Sequence, residues 1–178
     1  MTLITAFEPF DGAHKNYSML ALDMIEENDN LKKALIPVEY RRSYEALHEI
    51  LAGGSYDTVI LVGQAGARDK VTVEKIAINW ASANIADNSG ALLRGEKLVE
   101  DGPDGIFSTV DVKSIVDNLK AKGFDVAVSY TAGTYVCNAL YYLTLFNNPD
   151  KKVVFVHVPV KDEGISASII EDIVAQLS

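Results

Sequence analysis

A thiol, an imidazole and a carboxylate that suit nucleophilic catalysis occur at separate points of this 178-residue sequence. Cys137 is the only cysteine, and it stands where a helix is predicted to begin. Unpaired backbone N–H groups and the helix dipole at such a position favour a thiolate and can bind an oxyanion. Cys137 is therefore a candidate nucleophile, with a small buried hydrophobe as the simpler interpretation.

A nucleophilic thiol needs a base, and histidine is the usual one. His157 ends the apolar run VVFVH just before a Val-Pro pair, so we expect it to face a crevice at a strand end. His14 lies in a predicted loop and His48 on a predicted surface helix, which makes both less well placed. The local sequence leaves all three histidines open as the base, and a satisfied core histidine remains the alternative for His157.

A third group must hold the imidazole in its useful tautomer. Glu74 lies in the apolar-rich segment VTVEKIAIN and carries a suitable carboxylate, although a solvent-facing glutamate is the commoner reading of such a strand. Phe7 and Phe10 flank a Glu-Pro pair after the first predicted strand. Two aromatic faces can form a slot for a flat ligand, with core packing as the alternative.

Composition and missing motifs exclude several other function classes. The formal net charge of −9 repels nucleic acid phosphates and anionic lipid, so neither nucleic acid nor membrane partners are expected. The sequence has no P-loop, dinucleotide-binding glycine pattern, HExxH or GxSxG motif. One cysteine and three histidines cannot build a thiolate-rich metal site, so we expect no metal. A single cysteine is typical of a reducing compartment, and no secretory signal is evident, so we expect a cytoplasmic protein.

Apolar periodicity alternates between strand and helix along the chain, which is typical of α/β domains. The predicted strands are Leu3–Ala6, Leu35–Val38, Thr58–Val62, Val71–Asn79, Asp125–Ser129 and Val153–Val158. The predicted helices are Ser18–Glu27, Ser43–Leu51, Val112–Lys122, Cys137–Phe146 and Ser166–Leu177. This order predicts a single domain over residues 1–178, with three α/β/α layers and a mixed but largely parallel central sheet.

Two irregular features interrupt that pattern. The alternation in Val71–Asn79 slips between Glu74 and Lys75, which predicts a β-bulge. Residues Trp80–Gly105 show little periodicity and are rich in Asp, Asn and Gly, so we predict a long functional loop there. Ligands of such sheets approach the carboxyl ends of the strands, and both Cys137 and His157 are predicted to lie near such ends.

Taken together, these segments resemble the pyroglutamyl peptidase I family, also called pyrrolidone carboxyl peptidases. The resemblance runs in order through LITAFEPFDG, GQAGARDKVTVEKIAIN, IADNSG, EDGPDGIFST, SYTAGTYVCNALYY and VVFVHVPV, which is nearly the whole chain. It implies a phosphorylase/hydrolase-like fold and a cysteine peptidase that acts on peptides with an N-terminal pyroglutamate. It implies no cofactor, and it is compatible with a homo-oligomer, either a dimer or a tetramer.

The resemblance also implies residue roles. Cys137, His157 and Glu74 match the catalytic residues of the family. The residues that match its pyrrolidone-binding positions are Phe7, Phe10, Gln64, Tyr135 and Val136. Asn84 departs from the pattern, because Ser-Ala-Asn stands where the family usually has Asp-Ala-Arg, and asparagine cannot replace a cation. Two alternatives stay open: a divergent thiol amidase with another substrate, and a non-catalytic protein that binds a small molecule or a partner.

Overall fold

The computed structural model describes all 178 residues, Met1–Ser178. The strands are β1 (Thr2–Phe7), β2 (Leu31–Ile36), β3 (Thr58–Gln64), β4 (Val71–Glu74), β5 (Ile76–Ile78), β6 (Ala81–Ser82), β7 (Arg94–Glu96), β8 (Gly105–Phe107), β9 (Val126–Ser129) and β10 (Lys152–Val158). The helices are α1 (Tyr17–Asp23), α2 (Arg42–Ala52), α3 (Val112–Ala121), α4 (Val136–Asn147) and α5 (Glu163–Leu177). No helix has the length and apolar character that crossing a membrane requires.

Six strands form the central sheet in the order β2-β1-β3-β10-β4-β9. The first four are parallel to one another, whereas β4 pairs antiparallel with β10 and parallel with β9. One apolar cluster packs α1, α3 and α5 on one face, and a second packs α2 and α4 on the other. The predicted α/β class, with a mixed and largely parallel sheet between helices, is confirmed.

The sequence pattern explains the strands and helices at the centre of the fold. β3 and β10 are apolar along almost their whole length and buried on both faces, as expected for parallel strands covered by helices. The apolar stripe of α3, formed by Val112, Ile115, Val116 and Leu119, is buried in full. The Asn16 side chain accepts from the backbone N–H of Ser18 and so caps α1, while Gly53 ends α2.

The end of α1 and the start of β2, a strand at one edge of the sheet, differ from the predicted boundaries. α1 ends at Asp23 rather than Glu27, and β2 begins at Leu31 rather than Leu35. The Lys33 side chain in β2 donates to the backbone carbonyls of Leu22 in α1 and of Ile25 just beyond it, at 2.9 and 2.6 Å, which stabilises this early end of the helix. Because β2 is an edge strand, it tolerates lysines that obscure its strand pattern.

The segment predicted as one bulged strand is divided into two. β4 stays in the central sheet, whereas β5 leaves it and pairs with β8. The division falls at Lys75, so the phase slip marks the end of a strand rather than a bulge. Glu74 is consequently the last residue of β4, with its side chain fully buried.

The predicted loop over residues 80–105 contains a short two-stranded ladder of β6 and β7. Its centre is fixed by Asp87, whose carboxylate accepts from the backbone N–H groups of Tyr40, Ser89 and Ala91 and from the Ser89 hydroxyl. Strands of two or three residues are too short to leave a periodic signal. The segment is therefore an ordered wall beside the carboxyl end of β2.

Candidate active site

Two strands of opposite direction bring a carboxylate and an imidazole together within the sheet. β4 pairs Glu74 with Phe155, and His157 lies two residues further along β10 on the same face. His157 Nδ1 is 2.8 Å from Glu74 Oε1, and both side chains are buried. Because an ionised carboxylate can only accept, Nδ1 donates and Nε2 is left as the free basic nitrogen.

The Cys137 sulfur lies against the same part of the sheet. Gly63 in β3 is the register partner of His157, and partners in parallel strands direct their side chains to one face. A methyl group at position 63 would lie 2.9 Å from Cys137 Sγ and 2.8 Å from the Phe155 ring. The missing side chain of Gly63 therefore provides the space that the thiol occupies, on the sheet face where His157 lies.

Hydrogen bonds from Asn138 to the neighbouring segment that contains Ile78 and Trp80 hold the start of α4 in place. Cys137 is its second residue, and no side chain caps its first turn, which leaves the N–H groups there unpaired. The chain enters the helix through Gly133, whose φ of +79° is a left-handed conformation that glycine adopts without strain. The buried Asn138 side chain accepts from the N–H of Ile78 and donates to the carbonyls of Ile78 and Trp80. These contacts give a fixed set of donors suited to an oxyanion.

Burial keeps both reacting groups neutral at rest. Burial raises the pKa of Cys137 to about 12, and the charge of Glu74 acts in the same direction. Burial also lowers the pKa of His157, although its hydrogen bond to Glu74 opposes that shift. The resting pair at neutral pH is thus a thiol and a neutral imidazole. The amides at the helix start favour a thiolate, whereas desolvation and the charge of Glu74 oppose it.

A small cavity of about 40 Å³ opens beside the sulfur. Six of its residues are ones that the sequence assigned to the site: Phe7, Phe10, Gln64, Tyr135, Val136 and Cys137. The Phe10 and Tyr135 rings lie 6.1 Å apart, and the Tyr135 hydroxyl donates to the Ala86 carbonyl, which fixes that wall. A cavity of this size suits a small flat group rather than a long side chain.

Gln64 supplies a directed polar contact to the cavity. Its Oε1 accepts from the backbone N–H of Tyr17 at 2.8 Å, which settles the orientation of the amide. Its amide nitrogen is consequently free to donate. A bound group therefore meets a donor here, as a ring carbonyl requires.

The remaining sequence candidates lie apart from this cluster. Asn84 is exposed, makes no side-chain hydrogen bond and does not line the cavity. His14 and His48 are exposed as well, and neither pairs with Glu74, whose salt bridges are to Arg68 and His157. The larger cavities, of up to about 500 Å³, contain none of the residues Cys137, His157 and Glu74.

Comparison with known proteins places the chain in a family. The family model described as pyroglutamyl peptidase matches residues 1–175. The chain belongs to the pyroglutamyl peptidase family. The pyrrolidone-carboxylate peptidase of Alkaliphilus oremlandii is 38% identical over 170 residues, which cover 92% of this chain and 80% of the relative. That of Thermosipho africanus is 40% identical over 164 residues, which cover 88% and 80%.

Solved structures of the family share the fold. The crystal structure of pyrrolidone carboxyl peptidase from Fervidobacterium islandicum AW-1 superposes with a TM-score of 0.92 at 29% identity, covering 99% of this chain and 97% of that one. The enzyme from Thermus thermophilus gives a TM-score of 0.91 at 29% identity and covers 97% of both chains. The resemblance inferred from the sequence, and the fold that it implies, are confirmed.

Some residues of the site escaped the sequence analysis. Asn16 and Val38 line the cavity, but one is visible in the sequence only as a helix cap and the other only as an apolar residue. Gly63 contributes to the site only by lacking a side chain where the Cys137 sulfur lies, and such a role leaves no signal in the local sequence. Arg68 contacts Glu74, and a cation six positions before a buried glutamate is a signal that could have revealed it.

Gly63→Ala is expected to reduce kcat/KM for a chromogenic pyroglutamyl amide by about tenfold to a hundredfold, because even a displacement of roughly 1 Å at a reacting atom has such effects. The added methyl forces the Cys137 sulfur and the Phe155 ring to move. Gly66→Ala is the matched control, since its nearest new neighbour is 3.6 Å away, an ordinary contact. Equal activity of the two variants would contradict the proximity of the sulfur to β3.

Proposed function

We propose that this chain removes an N-terminal pyroglutamyl residue from peptides by hydrolysing the amide bond that follows it. Cys137 is the nucleophile, His157 transfers protons, and Glu74 orients His157. The observation that carries the proposal is the hydrogen bond between His157 and Glu74 on the sheet face where the Cys137 sulfur lies. A nucleophile and a base, with the base oriented by a third group, are the signature of covalent catalysis.

The reaction begins with a neutral thiol. His157 Nε2 takes the proton of Cys137 as the sulfur attacks the carbonyl carbon of the pyroglutamyl residue. The oxyanion that forms accepts hydrogen bonds from the unpaired N–H groups at the start of α4. Glu74 stabilises the imidazolium through Nδ1, which offsets the cost of charging a buried histidine.

Collapse of this intermediate breaks the amide bond and leaves a thioester on Cys137. The imidazolium of His157 gives its proton to the departing amine, so the shortened peptide leaves with a free N-terminus. His157, again neutral, then takes a proton from water, which attacks the thioester. Release of pyroglutamate restores the thiol, and each step is supplied by side chains of this chain.

Recognition of the lactam ring rests on shape and directed hydrogen bonds. Phe7, Phe10 and Tyr135 supply aromatic surface around the cavity, and Gln64 donates toward the ring carbonyl. Pyroglutamate has no free α-amino group, so its site needs no anion. Asn84, which is exposed and does not line the cavity, is given no role in this mechanism.

Membership of the pyroglutamyl peptidase family favours this function over the two alternatives left by the sequence. A divergent amidase would need a cavity with different polar groups, whereas the expected aromatic residues and Gln64 line this one. A binding protein would have no use for an imidazole held by a buried carboxylate. No feature of the structure favours either alternative.

The proposal extends to the whole chain and its surroundings. We propose that residues 1–178 act as one peptidase domain in the cytoplasm, where the single cysteine stays reduced. Phe107 and Tyr130 are 62% and 72% exposed and offer apolar contact area for a homo-oligomer, a dimer or a tetramer. Light scattering in solution would count the chains, and a monomer at all concentrations would remove that part of the proposal.

Cys137→Ser and His157→Ala should each reduce turnover of a chromogenic pyroglutamyl amide by at least about a thousandfold, since nucleophile and base act as a unit. Glu74→Gln should retain more activity, because it weakens the orientation of the base without removing it. His48→Ala is the matched control and should behave as the wild type. Inactivation by His48→Ala, or full activity of His157→Ala, would refute the assignment of the base.

The cavity should discriminate pyroglutamyl from glutaminyl versions of one peptide amide. A glutaminyl N-terminus brings an unpaired ammonium into an apolar slot, and an unsatisfied buried polar group already costs about 1–3 kcal/mol. The ratio of kcat/KM values should therefore be roughly tenfold to a hundredfold or more. Phe10→Ala should lower kcat/KM for the pyroglutamyl amide. Similar values for both substrates, or an unaffected Phe10→Ala variant, would contradict this model of the cavity.

A further inference from the structure

Arg68 joins parts of the site that the mechanism above does not connect. One nitrogen of its guanidinium contacts Glu74 Oε1 and the Thr72 hydroxyl, and another donates to the Thr131 carbonyl at 2.8 Å. Its side chain is 23% exposed. Arg68 neither lines the cavity nor contacts Cys137, so it has no role in binding the substrate.

The need for Arg68 arises from the burial of Glu74. The side chain has no exposed surface, and its Oε2 has no hydrogen-bond partner at all. An isolated charged carboxylate in such surroundings is very costly unless a cation and hydrogen bonds compensate it. All compensation therefore acts through Oε1, the same oxygen that accepts from His157.

The groups that face Glu74 leave Arg68 as its only permanent counter-ion. His157 on β10 is neutral at rest, and burial together with the Glu74 charge keeps Cys137 on α4 a thiol. Tyr141 on α4 donates its hydroxyl to the backbone carbonyl of Glu74 rather than to the carboxylate. Salt bridges to Glu74 are made by Arg68 and His157 alone.

Arg68 also links the two segments that carry the reacting groups. It lies in the loop between β3 and β4, three residues before the strand that ends in Glu74. Thr131 lies in the connection between β9 and α4, six residues before Cys137. A planar guanidinium can hold both acceptors at fixed angles, which a lysine ammonium cannot do.

We propose that Arg68 is a positioning residue that holds Glu74 in place as the acceptor for His157 while tying the Cys137 segment to it. The proposal rests on the proposed function for its meaning in catalysis. Arg68 thus joins Cys137, His157 and Glu74 as a fourth residue, which acts through Glu74 and does not touch the substrate.

The positive charge of Arg68 fixes the direction in which the pKa values of Cys137 and His157 should change when Arg68 is replaced. Burial is the largest cause of both shifts, and Arg68 lowers the pKa of Cys137 and of His157. Removing the cation therefore raises both pKa values. His157 then becomes protonated at a higher pH on acidification, so the acid limb of kcat/KM moves to higher pH. Alkylation of Cys137 requires the thiolate and slows at any given pH.

The test compares Arg68→Met with Lys70→Met. Lys70 lies two residues after Arg68 and forms an exposed salt bridge with Asp125, so its substitution removes the same charge outside the site. For a pyroglutamyl amide, Arg68→Met should reduce kcat by about tenfold to a hundredfold through misplacement of the base. KM should stay within about twofold, because Arg68 has no ground-state contact with the substrate. The acid limb should move up, and Lys70→Met should match the wild type. An unchanged acid limb in Arg68→Met, or an equal shift in Lys70→Met, would overturn the proposal.

Two further variants separate positioning from a general structural role. Arg68→Lys keeps the charge and should return the acid limb toward its wild-type position while recovering only part of kcat. The double variant Arg68→Met with Glu74→Gln should lose no more activity than the worse single variant, because both act through one contact. This double variant also leaves no uncompensated charge, so it stays folded even if Arg68→Met alone does not. Losses that multiply in the double variant would overturn the proposal.

Iodoacetamide labelling keeps this test independent of the proposed function. Cys137 is the only cysteine, so the alkylation rate against pH reports on this residue without any substrate. The profile should move to higher pH in Arg68→Met and stay in place in Lys70→Met. An unmoved profile refutes the role of Arg68 even if the enzyme is active. A moved profile in a chain that does not cleave pyroglutamyl amides supports Arg68 and refutes the proposed function.

Discussion

A carboxylate with no exposed surface is the constraint on which the site depends. Glu74 is placed at the end of the one strand that runs antiparallel to β10, and that pairing sets it beside His157. Its burial strengthens the hydrogen bond that orients the imidazole, because the local dielectric is low. The same burial requires a cation, which Arg68 supplies from the preceding loop. Sheet topology and electrostatics are thus linked through one side chain.

Burial also determines how the thiol is used. A high pKa keeps Cys137 protonated at rest, so the sulfur is a weak nucleophile until His157 removes its proton. Thiolate character also governs oxidation, so a resting thiol protects the single cysteine of the chain. Charge appears only when a substrate carbonyl and the amides of α4 are in place to stabilise it. The Cys137 thiol is therefore weakly reactive in the free protein and becomes a nucleophile when the substrate is bound.

The central fold follows from the sequence, whereas its edges do not. The apolar runs of β3 and β10 and the stripe of α3 indicate buried elements directly. The lysines of β2 conceal an edge strand, and β6 and β7 are too short for any periodic signal. In each missed case the element is defined by its neighbours and not by its own residues.

The candidate site shows the same division. Local features of Cys137, His157 and Glu74 leave several interpretations open, and only the motifs of the whole chain single them out as a set. Gly63 and Arg68 depend on contacts between distant segments, namely the space for a sulfur and the charge of a buried carboxylate. Such roles need the tertiary structure, because an empty space leaves no sequence signal and the spacing of Arg68 from Glu74 is informative only once Glu74 is known to be buried.

If Cys137 is the nucleophile, it must carry the pyroglutamyl group as a thioester during turnover. The most direct measurement is a single-turnover reaction with an activated pyroglutamyl ester, quenched in acid and analysed by intact mass and peptide mapping, because an activated ester allows the acyl-enzyme to accumulate. The expected product carries one added pyroglutamyl group, located on the peptide that contains Cys137. Turnover without any adduct, or an adduct on another residue, would contradict it.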